Sequence, residues 1–180
     1  MNVLITGGAG YIGSELVGFL LEKEHRVTVI DNLQYGPESL LRYTGDPRFE
    51  FFNLDVRQAS NLKKYLDKAD VIIPLACLVG FPLCEQRPQE AVEINYKVNK
   101  WIAENKKEHQ ILIYPCTNSG YGVSKDGSVC TEESPLNPVS LYGRTKVDAE
   151  KVYQETDGCC TLRLATVFGP SSRARTDLLV

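Results

Sequence analysis

A tyrosine and a lysine one helical turn apart, Tyr142 and Lys146, are the residues of this sequence best suited to acid–base chemistry. Positions i and i+4 share one face of a helix, so the two side chains would lie side by side. A neighbouring ammonium favours the phenolate, and we expect Lys146 to lower the pKa of Tyr142 toward neutrality, where a general base works best. The pair alone is weak evidence, because this spacing is common in surface helices.

A glycine-rich segment near the N-terminus, TGGAGYIG at residues 6–13, is a candidate phosphate site. The apolar run before it predicts a buried strand, and the periodic apolar residues from Tyr11 onward predict a helix. Gly7, Gly10 and Gly13 would permit a tight turn, close approach of the backbone to a pyrophosphate, and packing of the helix on the strand. The helix N-terminus would offer N–H groups to the phosphates.

Asp31 ends the next predicted strand, RVTVID, and would complete a dinucleotide site. A carboxylate at this position accepts hydrogen bonds from the adenosine ribose and repels the 2′-phosphate of NADP. No arginine immediately follows it, so the sequence predicts NAD as the cofactor. The alternative, a glycine turn without a ligand, is disfavoured by the flanking strand and helix.

Alternating strands and helices would position these residues. The predicted strands cover 3–6, 26–31, 49–53, 70–75, 110–114 and 159–167, and the predicted helices cover 11–24, 59–66, 90–106 and 140–156. Pro115 is expected to stop the fifth strand, and the Gly/Pro-rich stretch 119–138 reads as a long loop of the functional or mobile kind. Continuous apolar strands between helices predict an α/β fold: a Rossmann-type, doubly wound parallel sheet with helices on both faces.

Composition limits the class of protein. The chain has 180 residues, 43% of them hydrophobic, and a formal net charge of −3, which fits one globular domain and shows no basic excess for nucleic acid. Its longest apolar run, from Val71 to Cys84, is too short and too interrupted by Pro and Gly to span a membrane. The N-terminus lacks the features of a signal peptide, so a cytoplasmic protein is predicted. The six cysteines lack metal-ligand spacing, and no metal site is expected.

Other short motifs follow the successive predicted strands: VIDNL, NLDVR, PLA, TNSGYG, SLYGRTKVDAE and LRLATVFGP. Together with TGGAGYIG they resemble the extended short-chain dehydrogenase/reductase family, and within it the NAD-dependent epimerase/dehydratase branch, which acts on nucleotide sugars. The resemblance extends over nearly the whole chain. It implies an NAD-binding domain at residues 1–170 and, at 171–180, the start of a substrate-binding region whose remainder is expected to be absent from this chain.

The resemblance also implies roles for individual residues. Thr117 would hydrogen-bond the reacting oxygen, Tyr142 would be the acid/base, and Lys146 would serve both the phenolate and the nicotinamide ribose. Asn95 falls at the family's helix-four asparagine. The resemblance implies four further groups of NAD contacts. The pyrophosphate would contact Gly7, Gly10, Tyr11, Ile12 and Gly13, and the adenosine ribose would contact Asp31 and Asn32. The adenine would contact Asp55 and Val56, and the nicotinamide end would contact Leu75, Ala76, Leu164, Ala165 and Val167.

The activity implied is NAD-dependent epimerisation of a nucleotide sugar through a keto-sugar. Dehydration is not expected, because Thr117-Asn118-Ser119 lacks the carboxylate of dehydratases. A keto-sugar reductase or dehydrogenase with net hydride transfer, and a non-catalytic NAD-binding module, remain as alternatives. Arg173 and Arg175 are candidates for contact with a substrate diphosphate, and a homodimer formed through the two long helices is expected.

Overall fold

The computed structural model describes residues 1–123 and 129–175. Its framework is a six-stranded sheet in which all the strand pairs are parallel. In chain order the strands are β1 (Asn2–Thr6), β2 (Arg26–Asp31), β3 (Phe49–Asn53), β4 (Val71–Pro74), β5 (Ile111–Thr117) and β6 (Cys159–Leu164). They adjoin in the order β3-β2-β1-β4-β5-β6, which is the order of a dinucleotide-binding doubly wound sheet. The predicted fold class is confirmed.

Helices cover both faces of this sheet. They are α1 (Tyr11–Glu22), α2 (Ala59–Leu66), α3 (Phe81–Gln86), α4 (Pro88–Val92), α5 (Val98–Asn105) and α6 (Leu141–Gln154), with 3₁₀ helices at Glu38–Tyr43 and Asn118–Tyr121 and a π-helical segment at Glu93–Lys97. Successive strand residues point to opposite faces, and in β1 Leu4 packs into one buried cluster while Val3 and Ile5 pack into the other. Each face of the sheet therefore has its own apolar core.

The helix that carries Tyr142 begins at a well-defined cap. The hydroxyl of Ser140 accepts a hydrogen bond from the backbone N–H of Gly143 at 3.0 Å, which satisfies one of the free donors of the first turn. The cap fixes where α6 starts, and the buried residues Val147, Ala149 and Tyr153 fix which face of the helix lies against the sheet.

Pro115 does not stop β5, contrary to the sequence-based expectation. The strand continues to Thr117 because β4 pairs with β5 only as far as Leu112. The Leu112 N–H donates to Gly158 on the β6 side, and alternation along the strand directs position 115 toward the β4 side, where the ladder has already ended. The missing N–H of Pro115 therefore costs no sheet hydrogen bond.

Two helical regions also differ from the prediction. The helix expected at residues 90–106 consists of α4, the π segment and α5. Helix α3 begins in the last residues of the apolar run, extends two residues beyond it, and carried no helix prediction. The start of α3 follows Gly80, whose φ of +91° is a conformation that favours glycine. Residues 124–128 of the predicted loop and 176–180 at the C-terminus lie outside the described residues. In the part of the chain that is described, no helix is long and apolar enough to cross a membrane.

Candidate active site

A cleft of about 570 Å³ follows the carboxyl ends of the strands. It opens beside β1 and β4, where the strand order reverses and doubly wound sheets bind ligands. All but one of the predicted site residues line it: Gly7, Gly10, Tyr11, Ile12, Gly13, Asp31, Asn32, Asp55, Val56, Leu75, Ala76, Thr117, Tyr142, Lys146, Leu164, Ala165 and Val167. The tertiary structure thus brings both sequence motifs to one cavity.

The glycine turn leaves no room for a Cβ at Gly7 or Gly13. Gly7 has a φ of +74°, and a Cβ there would lie 2.5 Å from the backbone nitrogen of Ala76. A Cβ on Gly13 would lie 2.5 Å from the carbonyl oxygen of Gly7. Gly10 caps α1 without a side-chain hydrogen bond, so the N–H groups of the first turn are available to an anion in the cleft.

Asp31 lies at the end of β2 with its carboxylate held by backbone donors. It accepts hydrogen bonds from the N–H of Leu33 at 2.8 Å and of Ala9 at 3.0 Å. Burial raises the pKa of Asp31, and the two N–H donors act in the opposite direction. Each carboxylate oxygen keeps acceptor capacity for a hydroxyl group in the cleft.

Asp55, which follows β3, is held differently. Arg57 donates to its carboxylate through the side chain and the backbone, and these bonds lower the pKa of Asp55. The carboxylate is thus kept ionised at the same end of the cleft as Asp31.

Thr117 and Tyr142 meet at the opposite end of the cleft. Thr117 is the last residue of β5, and its hydroxyl accepts from the N–H of Ser119 at 3.2 Å. Burial raises the pKa of Tyr142, the nearby thiol of Cys77 adds to the increase, and the hydrogen-bonding contribution of Thr117 opposes it. The phenol is therefore protonated at neutral pH in this structure.

Lys146 is on the cleft but is engaged elsewhere. Its ammonium donates to the carbonyl oxygen of Pro115 at 2.7 Å and lies 4.1 Å from the centroid of the Tyr114 ring. The expectation that Lys146 lowers the pKa of Tyr142 is wrong for this structure, because burial of the phenol dominates and the ammonium is bound by a carbonyl that the end of the β4–β5 ladder leaves free.

Asn95 is the predicted site residue that does not line the cleft. It is fully buried, and its amide accepts from the N–H of Leu78 at 2.9 Å and donates to the carbonyl of Leu78 at 3.0 Å. Leu78 itself lines the cleft. Asn95 therefore holds a cleft-lining residue through its backbone without lining the cleft itself.

Several cleft residues carried no signal that sequence reasoning used. They are Gln34, Tyr35, Cys77, Leu78, Val79 and Cys116. Most of them follow the carboxyl end of a predicted strand, and this position alone would have predicted that they line the cleft. Arg173 and Arg175 also line the cleft, and the Arg173 guanidinium lies 4.0 Å from the centroid of the Tyr35 ring. Among the described residues no group of three or more His, Cys, Asp or Glu side chains could hold a metal ion.

Comparison with known proteins gives consistent results. UDP-glucose 4-epimerase of Lactobacillus helveticus is 31% identical over 96% of this chain and 53% of its own length. UDP-glucuronic acid 4-epimerase of Bacillus cereus, solved in complex with NAD, has a TM-score of 0.84 and 31% identity, over 98% of this chain and 59% of that one. UDP-glucose 4-epimerase of Thermotoga maritima, solved with UDP-glucose, has a TM-score of 0.84 and 25% identity, over 99% of this chain and 61% of that one.

The chain spans about half the length of the curated relatives it matches. The model of the NAD dependent epimerase/dehydratase family matches residues 3–179, which include every candidate residue of the cleft. Because this match covers nearly the whole chain, with the glycine turn, Asp31 and Tyr142 inside it, this chain belongs to the NAD-dependent epimerase/dehydratase family.

Proposed function

We propose that residues 1–170 form the NAD-binding domain of a nucleotide-sugar epimerase. The observation that carries this proposal is the single cleft that joins the glycine turn and Asp31 at one end to Thr117, Tyr142 and Lys146 at the other. A dinucleotide placed along it would have its phosphates at the N-terminus of α1 and its reactive ring near the tyrosine. The family match and the UDP-hexose 4-epimerases among the relatives support this assignment.

The residues of the cleft fit NAD. Gly7 and Gly10 line the cleft without side chains, and this lets the backbone approach a pyrophosphate closely. Asp31 presents acceptor oxygens to ribose hydroxyls and an unfavourable charge to a 2′-phosphate, so NAD is favoured over NADP. Arg173 and Arg175 remain candidates for contact with a substrate diphosphate, and in this structure Arg173 lies on Tyr35, at the Asp31 end of the cleft.

In the proposed reaction, bound NAD supplies reversible hydride acceptance. Tyr142 removes the proton from a sugar hydroxyl and later returns it, and Thr117 donates a hydrogen bond to the same oxygen as its charge develops. Tyr142 needs a lower pKa to act as a base, and we infer that Lys146 turns from the Pro115 carbonyl toward the phenol when the cleft is filled.

Epimerisation is favoured over dehydration by the charges of the cleft. Elimination of water needs an additional acid and base beside the tyrosine. Of the described residues that line the cleft, the carboxylates are Asp31 and Asp55, and both follow strands on the far side of β1 from Thr117. By their names, the relatives favour a UDP-hexose as the substrate and C4 as the carbon that is inverted.

The cofactor assignment is tested by calorimetric titration with NAD and NADP. We expect NAD to bind more tightly, and Asp31→Ala to weaken NAD and narrow the difference. Asp46→Ala, which changes an aspartate outside the cleft, is the matched control. Equal affinity for NADP in the unmodified chain would contradict the role of Asp31.

The reaction is tested with the full-length protein, UDP-glucose and catalytic amounts of NAD. An epimerase forms the C4 epimer without net consumption of cofactor. Stoichiometric formation of NADH would instead identify a dehydrogenase, and NAD binding without either product would identify a binding module.

Pairing of two copies through the long helices stays a prediction. The outward face of α6 carries the exposed residues Arg144, Asp148 and Lys151, so an interface built on this helix would be polar. Sedimentation equilibrium in low and high salt tests it, since charged contacts weaken as salt rises.

A further inference from the structure

A continuous row of buried polar side chains links α6 to the wall of the cleft. The row consists of Tyr153, Asn99 and Asn95, which are between 0% and 3% exposed. The hydroxyl of Tyr153 donates to Oδ1 of Asn99 at 2.9 Å. Nδ2 of Asn99 donates in turn to the carbonyl oxygens of Asn95 at 3.0 Å and Ile94 at 3.3 Å.

The π-helical segment Glu93–Lys97 is the part of the helix that this row holds. Asn99 follows the segment by two residues and donates to two carbonyl oxygens within it. π segments are rare and mostly occur as single turns inside α-helices, and here the two bonds from Asn99 join the α-helical turn that follows to carbonyl oxygens of the segment. The tyrosine fixes the direction of the amide, because only Oδ1 can accept its proton and Nδ2 must then face the carbonyls.

The far end of the row is the backbone of Leu78. Asn95 pairs with both the N–H and the carbonyl of Leu78, and its Nδ2 also lies 3.4 Å from the Thr145 hydroxyl on α6. Residues 75–79 all line the cleft. The position of this wall therefore depends on the side-chain amide of Asn95, whose own position is set by the π segment.

We propose that Tyr153 and Asn99 are positioning residues that hold the 75–79 wall in register with α6, the helix that carries Tyr142 and Lys146. Neither touches the cleft, and both act through Asn95. Within the described residues every buried side-chain nitrogen and oxygen has a hydrogen-bond partner. Loss of the Tyr153 hydroxyl would leave Oδ1 of Asn99 unpaired, and the amide could then rotate and release the π segment. That the wall contacts NAD rests on the proposed function; that the wall is held by this row does not.

The test is Tyr153→Phe, which keeps the buried ring and removes only the hydroxyl. Two quantities are measured on the whole chain: hydrogen exchange at the Leu78 amide, whose acceptor is Asn95, and NAD affinity by calorimetry. We expect exchange at Leu78 to become about five- to tenfold faster and the Kd for NAD to rise roughly three- to tenfold. The amide of Val27, which donates to the carbonyl of Arg48 beside the edge strand β3 and lies away from this row, reports local opening elsewhere in the sheet and is expected to keep its rate.

Matched variants separate the row from a general loss of stability. Tyr43→Phe removes a tyrosine hydroxyl that donates to the carbonyl of Ser14 at 2.8 Å, away from this row, and is expected to leave Leu78 unchanged. Asn99→Ala is expected to accelerate Leu78 more than Tyr153→Phe does, because it removes the donor as well as the acceptor. Unchanged exchange at Leu78 in Tyr153→Phe, or equal acceleration at Leu78 and Val27, would overturn the proposal. If the unmodified chain fails to bind NAD, the proposed function fails, and exchange at Leu78 still decides this inference.

Discussion

The two ends of the cleft are built from different materials. At the glycine end, the site is formed mainly by backbone atoms. These are the turn at Gly7, the N–H groups at the start of α1, and the N–H groups that bind the Asp31 carboxylate. At the tyrosine end, side chains from β5 and α6 form the site, and they are positioned by other side chains. Tyr142 and Lys146 depend on what is packed behind them.

A buried ion pair lies beneath the tyrosine end. Glu150 of α6 is 1% exposed and accepts from Nε of Arg163 on β6 at 2.8 Å and from the Cys116 thiol at 3.2 Å. Arg163 also donates to the hydroxyl of Tyr121 and the carbonyl of Glu132, and so ties the loop after Thr117 to the sheet. The glycine end should therefore be sensitive to added atoms, and the tyrosine end to atoms removed.

The largest effect is expected from removing the hydroxyl of Tyr142. In the full-length protein, Tyr142→Phe should lower turnover of UDP-glucose by about 10²- to 10⁴-fold, the usual contribution of a general acid/base. NAD affinity should barely change, since the ring keeps its packing. Tyr43→Phe is the control from the glycine end, where this hydroxyl bonds the carbonyl of Ser14 outside the cleft. Turnover retained in Tyr142→Phe would exclude Tyr142 as the base.

Breaking the buried ion pair should have the next largest effect. Arg163→Met leaves the Glu150 carboxylate buried without its cation and should lower the free energy of unfolding by about 3–5 kcal/mol. Lys100→Met, which breaks the exposed pair with Glu104, should cost less than about 1 kcal/mol. Urea unfolding of both variants measures the difference. Equal effects would show that burial of the Glu150–Arg163 pair does not increase its contribution to stability.

A single added methyl group should damage the glycine end. Gly7→Ala places a Cβ against the backbone of Ala76 at a positive φ, and it should cost about 1–3 kcal/mol of stability together with most of the NAD affinity. Gly45→Ala adds the same group where no atom lies within 4 Å and should change neither quantity. Calorimetry and urea unfolding are the measurements, and a Gly7→Ala variant with full NAD affinity would contradict the close approach proposed here.

The smallest expected effect concerns the charge of Asp31. Because its pKa is raised in the folded chain, ionised Asp31 destabilises the ligand-free protein above the ordinary pKa of about 3.9 and no longer does so once protonated. The thermal midpoint of Asp31→Asn relative to the unmodified chain should therefore rise as pH increases from about 4 and level off above the folded pKa. A pH-independent difference would show that burial does not penalise this carboxylate.

Local sequence patterns were enough to predict the sheet and the glycine end. Strands β2, β3 and helix α2 have the bounds that the sequence predicts, because residue type and local periodicity mark each of them. The turn at Gly7 to Gly13 and the carboxylate at Asp31 are close together in the chain, and the strand–turn–helix–strand unit leaves them only one way to meet.

Other features could not be read from local patterns. The helix α3, the continuation of β5 through Pro115 and the buried position of Asn95 depend on neighbours far away in the sequence. Pro115 is tolerated only because β4 has already left β5 at that point. Asn95 does not line the cleft because its side-chain amide hydrogen-bonds the backbone N–H and carbonyl of Leu78.

The sequence by itself determined which residues could hold a dinucleotide and which could transfer a proton, because residue type and local spacing define those chemistries. Only the tertiary structure decided the protonation and the contacts of the proton-transferring residues, Tyr142 and Lys146. Burial raises the pKa of Tyr142 while the Lys146 ammonium lies on the Pro115 carbonyl, and both facts follow from packing between β5 and α6. A pKa depends on the desolvation and charges that the whole fold brings around a group, and no local pattern contains them.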